Sequence, residues 1–114
     1  MKSLEGAGYR AEFDPEAGCV RLRGSLRLGG LTEYAPISQL LEDALDGRDA
    51  LTLDLSGLEF LNSSGIATLS KFVIAVRNRK TCTLAVRGST SIPWQGKSLN
   101  NLKRLMPTLE LDFD

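Results

Sequence analysis

The chain is expected to fold as a single α/β domain over residues 1–114, with a mixed, mostly parallel β-sheet, an N-terminal hairpin and helices packed mainly on one face. Three observations predict this. Beyond two alternating runs near the N-terminus, helix-like and strand-like periods follow one another three times, the pattern of parallel strands joined by crossovers. Every strand-like run alternates apolar and polar residues, whereas strands covered on both faces read as continuous apolar stretches, so one sheet face is expected to be poorly covered. Crossovers of one hand that always step the same way bring every helix to the same side.

Taken in order, Tyr9, Ala11 and Phe13 alternate with Arg10, Glu12 and Asp14. Asp14-Pro15-Glu16-Ala17-Gly18 then supplies turn chemistry before a second run, in which Val20, Leu22, Gly24, Leu26 and Leu28 interleave with Arg21, Arg23, Ser25 and Arg27. These runs predict a hairpin with a wet outer face. Leu31, Tyr34, Ile37, Leu40, Leu41, Ala44 and Leu45 recur at helical spacing before Gly47, with Pro36 near the tolerant start. A strand is expected at Leu51–Ser56, a loop at Gly57–Leu61, and a helix at Ser64–Asn78 whose core stripe would be Ile66, Leu69, Val73 and Val76. Thr81–Arg87 reads as a strand and Gly88–Gln95 as a loop. Leu99, Leu102, Leu105 and Met106 mark a third helix ended by Pro107, and Leu109, Leu111 and Phe113 a last strand.

Composition narrows the function. At 114 residues, 42% hydrophobic and 25% charged, the chain is a globular domain rather than a disordered or fibrous segment. Fourteen basic residues balance fourteen acidic ones, which speaks against the broad positive field that nucleic-acid binding draws on. Histidine is absent, so the commonest general base and metal ligand and any Ser-His or Cys-His nucleophile are missing. A non-enzymatic role follows, without metal or cofactor. Cys19 and Cys82 lack the company a metal site or disulfide framework needs, and two reduced buried thiols are expected. The longest apolar run, Phe72–Val76, is far too short to span a membrane, and Met1–Gly8 has no apolar signal region. The expectation is a cytoplasmic protein that engages no membrane.

The most informative stretch is Asp54-Leu-Ser-Gly-Leu-Glu-Phe-Leu-Asn-Ser-Ser-Gly-Ile66, which runs a strand into a pair of serines at a helix start. One side-chain oxygen there would cap the helix by satisfying an orphan amide. Two serines are present where one would cap, and Gly65 offers no side chain to shield them. The positive end of a helix also favours an added phosphate, which carries about −1.5 to −2 charges near neutral pH.

Here the sequence resembles the STAS domain of sulphate transporters and anti-sigma factor antagonists, in which an apolar strand ending Asp-Leu-Ser leads through a short apolar loop to Asp-Ser-Ser-Gly and a helix. Leu53 to Ala67 matches that pattern almost position by position, and the order of strands and helices follows it over nearly the whole chain. In the soluble antagonists the first serine is phosphorylated by a serine kinase of the histidine-kinase-like ATPase type that is also the anti-sigma factor, and a serine phosphatase reverses it. The resemblance implies that Ser63 is the phosphorylated residue and that these proteins are the partners. Asn62 departs from the pattern by standing where the family has Asp, which removes a negative charge beside Ser63.

The expected contact surface comprises Leu58, Glu59, Phe60, Asn62, Ser63, Ser64 and Gly65, joined by Trp94, with Ser64 and Asn62 shaping and capping the turn and Asp54 and Ser56 fixing the strand end. Helix two carries more apolar residues than one stripe needs, among them Ala67, Phe72, Ile74 and Ala75. Arg77, Arg79 and Lys80 read as a solvated helix end, and Arg21, Arg23 and Arg27 as an anion-binding stripe partly cancelled by acids on the preceding strand. Two alternatives stand beside the switch: a STAS scaffold subunit that never carries phosphate, and a nucleotide-binding protein using Gly96-Lys97-Ser98. The second is weakened by Ser91 in place of the first glycine and by Pro93, which lacks an amide.

Overall fold

The computed structural model describes residues 2–114. The chain opens with an edge strand absent from the sequence reading, β1 (Lys2–Gly6), which pairs antiparallel with β2 (Tyr9–Asp14). Its residues, Lys-Ser-Leu-Glu-Gly, are mostly exposed and carry little strand propensity, so pairing rather than pattern makes it a strand. The predicted hairpin joins β2 to β3 (Cys19–Leu26), with Phe13 opposite Val20 and Ala11 opposite Leu22.

From β3 onward every pairing is parallel. Helix α1 (Gly30–Leu45) leads to β4 (Ala50–Asp54), α2 (Ser63–Arg79) to β6 (Thr83–Gly88), and α3 (Gln95–Leu105) to β7 (Glu110–Phe113). A short strand, β5 (Leu58–Leu61), lies between β4 and α2, where the sequence reading placed a loop. The sheet order is β1-β2-β3-β4-β6-β7, with β5 on β3. The order 3-4-6-7 steps one way throughout, and the helices accordingly line up in one layer, α2 between α1 and α3.

The core lies between that layer and the sheet. Leu22, Leu26, Leu53, Leu55, Leu84 and Val86 meet Tyr34, Leu41, Val73, Val76 and Leu99, all at 2% exposure or less. The other sheet face is open and charged, as the alternation predicted. There Arg21 pairs with Asp54 at 3.7 Å and Arg23 with Glu12 at 4.0 Å, so acids take up much of the expected arginine stripe. Arg27 leaves that stripe, its guanidinium standing 4.5 Å over the Phe60 ring.

Two helical expectations shift. The buried face of α2 is Gly65, Thr68, Leu69, Phe72, Val73 and Val76, so Phe72 turns inward and Ile66 is only half-buried. In α1, Leu31 is 45% exposed rather than part of the core stripe. Gly24 is required where β3 changes partner, from β4 to β5: its φ is +85° and a Cβ there would overlap the carbonyl of Gly8.

Candidate functional site

The serine loop is built by β5 and the first turn of α2. Because β5 continues alongside β3 beyond the end of β4, the chain is held in register up to Leu61, where Asn62 N–H donates to the Leu26 carbonyl at 3.2 Å. Asn62 is the N-cap of α2, with extended backbone and its Oδ1 accepting from Gly65 N–H at 3.0 Å. The same oxygen accepts from the Tyr34 hydroxyl at 2.6 Å, and the Asn62 amide nitrogen donates to the Leu28 carbonyl at 2.8 Å. One side chain thus ties the start of α2 to both the end of β3 and the first turns of α1.

This explains asparagine where the resemblance expects aspartate. A carboxylate could accept both bonds at Oδ1 but has no N–H for Leu28, and would set an oxygen against that carbonyl. Burial raises the Tyr34 phenol above its ordinary value, which keeps it protonated and donating.

With the cap supplied by Asn62, the serines are not needed for it. Ser63, the first residue of α2, is exposed, and its hydroxyl makes no hydrogen bond to any described residue. Ser64 is half-buried and serves the helix through its backbone carbonyl, which accepts from Thr68 Oγ1 at 2.9 Å; the capping role expected of its side chain falls to Asn62 alone. Gly65 does more than leave the serines bare: it is buried, and a Cβ on it would overlap Leu61 and lie 2.7 Å from the Tyr34 oxygen.

The expected contact residues divide by exposure. Glu59, Phe60 and Ser63 face solvent, Phe60 at 38%, whereas Leu58 is fully buried and belongs to the core. Burial along β5 does not alternate: its end residues Leu58 and Leu61 are buried and the middle pair, Glu59 and Phe60, is exposed, so only the middle of the strand is offered to a partner. Trp94 is half-buried and donates its indole N–H to the Leu58 carbonyl at 3.1 Å, so it braces β5 from behind. Its neighbour Gln95, unnoticed in the sequence, is completely buried. It donates to the Leu55 and Leu58 carbonyls at 2.6 and 3.0 Å and accepts from Ser89 N–H at 2.7 Å.

At the end of β4, Asp54 Oδ1 accepts from the Ser56 amide at 3.0 Å and from its hydroxyl at 2.6 Å. Both residues face a hollow of ≈ 190 Å³ shared with Arg87, Gly88, Asp112 and Asp114. Gly96-Lys97-Ser98 lies in the first turn of α3. The loop before it spends the amides of Ser89, Ser91, Ile92 and Gln95 on internal bonds, and Pro93 has none, so few are left to cradle a phosphate. Both cysteines are free and buried, and burial pushes their thiols up. Among the described residues no helix is long and apolar enough to cross a membrane.

The same arrangement of strands and helices occurs in known structures. A chain from the crystal structure of the diguanylate cyclase SiaD in complex with its activator SiaC, from Pseudomonas aeruginosa, matches with a TM-score of 0.77 at 14% identity, covering 100% of both chains. SiaC of Pseudomonas aeruginosa matches at 0.72 and 19% identity, over 99% of this chain and 96% of that one. An anti-sigma factor antagonist from Mycobacterium paratuberculosis matches at 0.59 and 22%, over 96% and 82%. At these identities the likeness is one of fold. No curated protein sequence matches the chain. A family model described as "Mlab, STAS domain" matches residues 9–112, nearly the whole of β2 to β7, and the chain belongs to the STAS domain family.

Proposed function

We propose that the domain is a regulatory protein-binding module, in the manner of an anti-sigma factor antagonist, that engages its partner through the β5–α2 corner and is released when Ser63 is phosphorylated. The observation that carries this reading is a hydroxyl with no structural duty, exposed at the first residue of α2, three residues after the exposed Phe60. A dianion placed there would be welcomed by the helix end and expelled from a close-fitting, apolar or acidic partner surface. The structural relatives support the reading by what they are: SiaC is the activator of a diguanylate cyclase and the mycobacterial protein is an anti-sigma factor antagonist. The domain performs no reaction of its own in this scheme; a serine kinase and a serine phosphatase set its state in the cytoplasm.

The test is to place a photo-crosslinking residue at Ala67, which is exposed on α2, in the cells that express the protein, and to identify the captured protein with Ser63→Ala and Ser63→Asp versions. Capture of one protein by the alanine form, lost in the aspartate form, is the expected result. Equal capture by both would favour the non-phosphorylated scaffold. That second reading has its own support in Asn62, whose amide oxygen and nitrogen both bond within the fold and which brings no carboxylate to a kinase.

A further inference from the structure

The balanced net charge hides a sharp division. Residues 60–109 contain no aspartate or glutamate, although basic residues recur throughout. Lys71, Arg79 and Lys80 on or just past α2, and Lys97 and Arg104 on α3, are all exposed. The five ion pairs of the described residues lie elsewhere, on β1, β2, β3 and their neighbours, and none involves these side chains. Arg77 and Lys103 on the same helices are spent on carbonyls at the end of α3. On α1 and the turn after it the sign reverses: Glu33, Glu42, Asp46 and Asp49 are exposed.

Helix stability accounts for only part of this. Arg79, Lys80 and Arg104 complement the carbonyl ends of their helices. Lys71 sits mid-helix with no acid three or four residues away, and Lys97 occupies the first turn of α3, where the dipole disfavours a cation. The helix pair also carries apolar relief between its charges: Ala67 is exposed, Ile74 and Ala75 are half-buried, and a groove between the two helix ends, of ≈ 510 Å³, is floored by Val76, Met106 and Pro107 with Arg77 and Lys80 on its rim. A small apolar centre with a cationic rim is the anatomy of a protein interface. A nucleic acid would be expected to find exposed aromatic rings or a continuous basic track, and a membrane a bulky apolar anchor; the large apolar residues exposed among those described are Leu31 and Phe60, neither on α2 or α3.

We infer that the outer face of α2 and α3 receives the acidic surface of a different protein, not a second copy of this chain, whose carboxylates meet Lys71, Arg79, Lys80, Lys97 and Arg104. The inference rests on the reading that α2 faces the partner, and it supplies that partner's chemistry. It also gives the switch a second cause: Ser63 opens the same helix, so its phosphate repels an incoming carboxylate surface as well as obstructing it.

The test uses the full chain, isotopically labelled, and poly-L-glutamate as the acidic polypeptide. Amide shifts are expected on α2 and α3 and not on α1. Affinity should fall roughly tenfold between ~0.1 M and ~1 M salt, where the screening length drops from about 10 to about 3 Å. Lys71→Glu with Lys97→Glu should weaken binding by a further factor of roughly ten, while Arg23→Glu on the open sheet face leaves it unchanged. The inference is overturned if shifts are absent or spread over the sheet face. It is equally overturned if duplex DNA or phosphatidylglycerol vesicles bind more tightly than the polypeptide. Self-association in sedimentation velocity that the double reversal abolishes would assign the face to the acidic α1 side of a second copy, and so overturns it too. The poly-L-glutamate map does not depend on Ser63, so it and the crosslinking comparison of Ser63→Ala with Ser63→Asp fail separately.

Discussion

At the scale of single residues, Asn62 and Ser63 divide the labour: Asn62 holds the start of α2 and Ser63 is left free. Ser63→Ala should leave stability within about 0.5 kcal/mol of the natural protein, because the hydroxyl is exposed and unbonded. Asn62→Ala should cost about 1–2 kcal/mol, the usual loss of a helix cap, and Asn62→Asp about 1 kcal/mol, because Leu28 loses its donor. Urea unfolding checks all three through the midpoint, with the slope unchanged. Tyr34 adds a pH signature. Its phenol is raised in the folded state, so its contribution is fully present below an ordinary tyrosine pKa of about 10 and is lost as pH climbs through the raised folded value. Tyr34→Phe should therefore flatten the fall in stability on the alkaline side; an unchanged slope would mean that burial does not hold the phenol above its ordinary value. Ser63 and the turn around it were legible in the sequence, since a helix start rich in small polar residues is a local signal. The three bonds of Asn62 were not, because two of their partners, Leu28 and Tyr34, lie 34 and 28 residues away. A hint existed in Tyr34, whose buried place in the apolar stripe obliges its hydroxyl to find a partner.

At the scale of elements, β5 is a strand that the residue pattern does not announce. Four residues of mixed character between a turn and a cap look like a loop, and only the exposed edge of β3 beyond β4 makes them a strand. The consequence was an overcounted contact surface: Leu58 and Trp94 support β5 from inside instead of meeting a partner. Gln95 carries that support, and Gln95→Leu should be among the most damaging substitutions outside the apolar core. It strands two carbonyls and one amide in a buried place, at a cost of about 3 kcal/mol or more in urea unfolding. Nothing in the sequence marks Gln95, since a glutamine beside a tryptophan at a loop end is ordinary. Gly65→Ala should also destabilise, by about 1–3 kcal/mol, although alanine is the better helix former; overlap with Leu61 and Tyr34 outweighs the gain in propensity. A more stable Gly65→Ala protein would show that the α1–α2 approach is looser than described.

At the scale of the whole molecule, the one-sided layering was readable because it follows from alternation in every strand and from the handedness of crossovers. The edge strand β1 was not, because an edge strand needs only a partner's free hydrogen bonds and can be made of almost any residues. Net charge misled in a different way. A total of zero describes solubility well enough, but it averages an acidic α1 side against a basic α2–α3 side, and docking responds to the local field. The fold therefore presents one helical layer with two electrical poles and a modifiable hydroxyl at the head of its middle helix. The most direct measurement of the central claim is the affinity of the partner captured through position 67 for the domain with and without phosphoserine at position 63. A loss of at least roughly 100-fold, about 2.8 kcal/mol, is the expected result. Equal affinities for the two forms would contradict it.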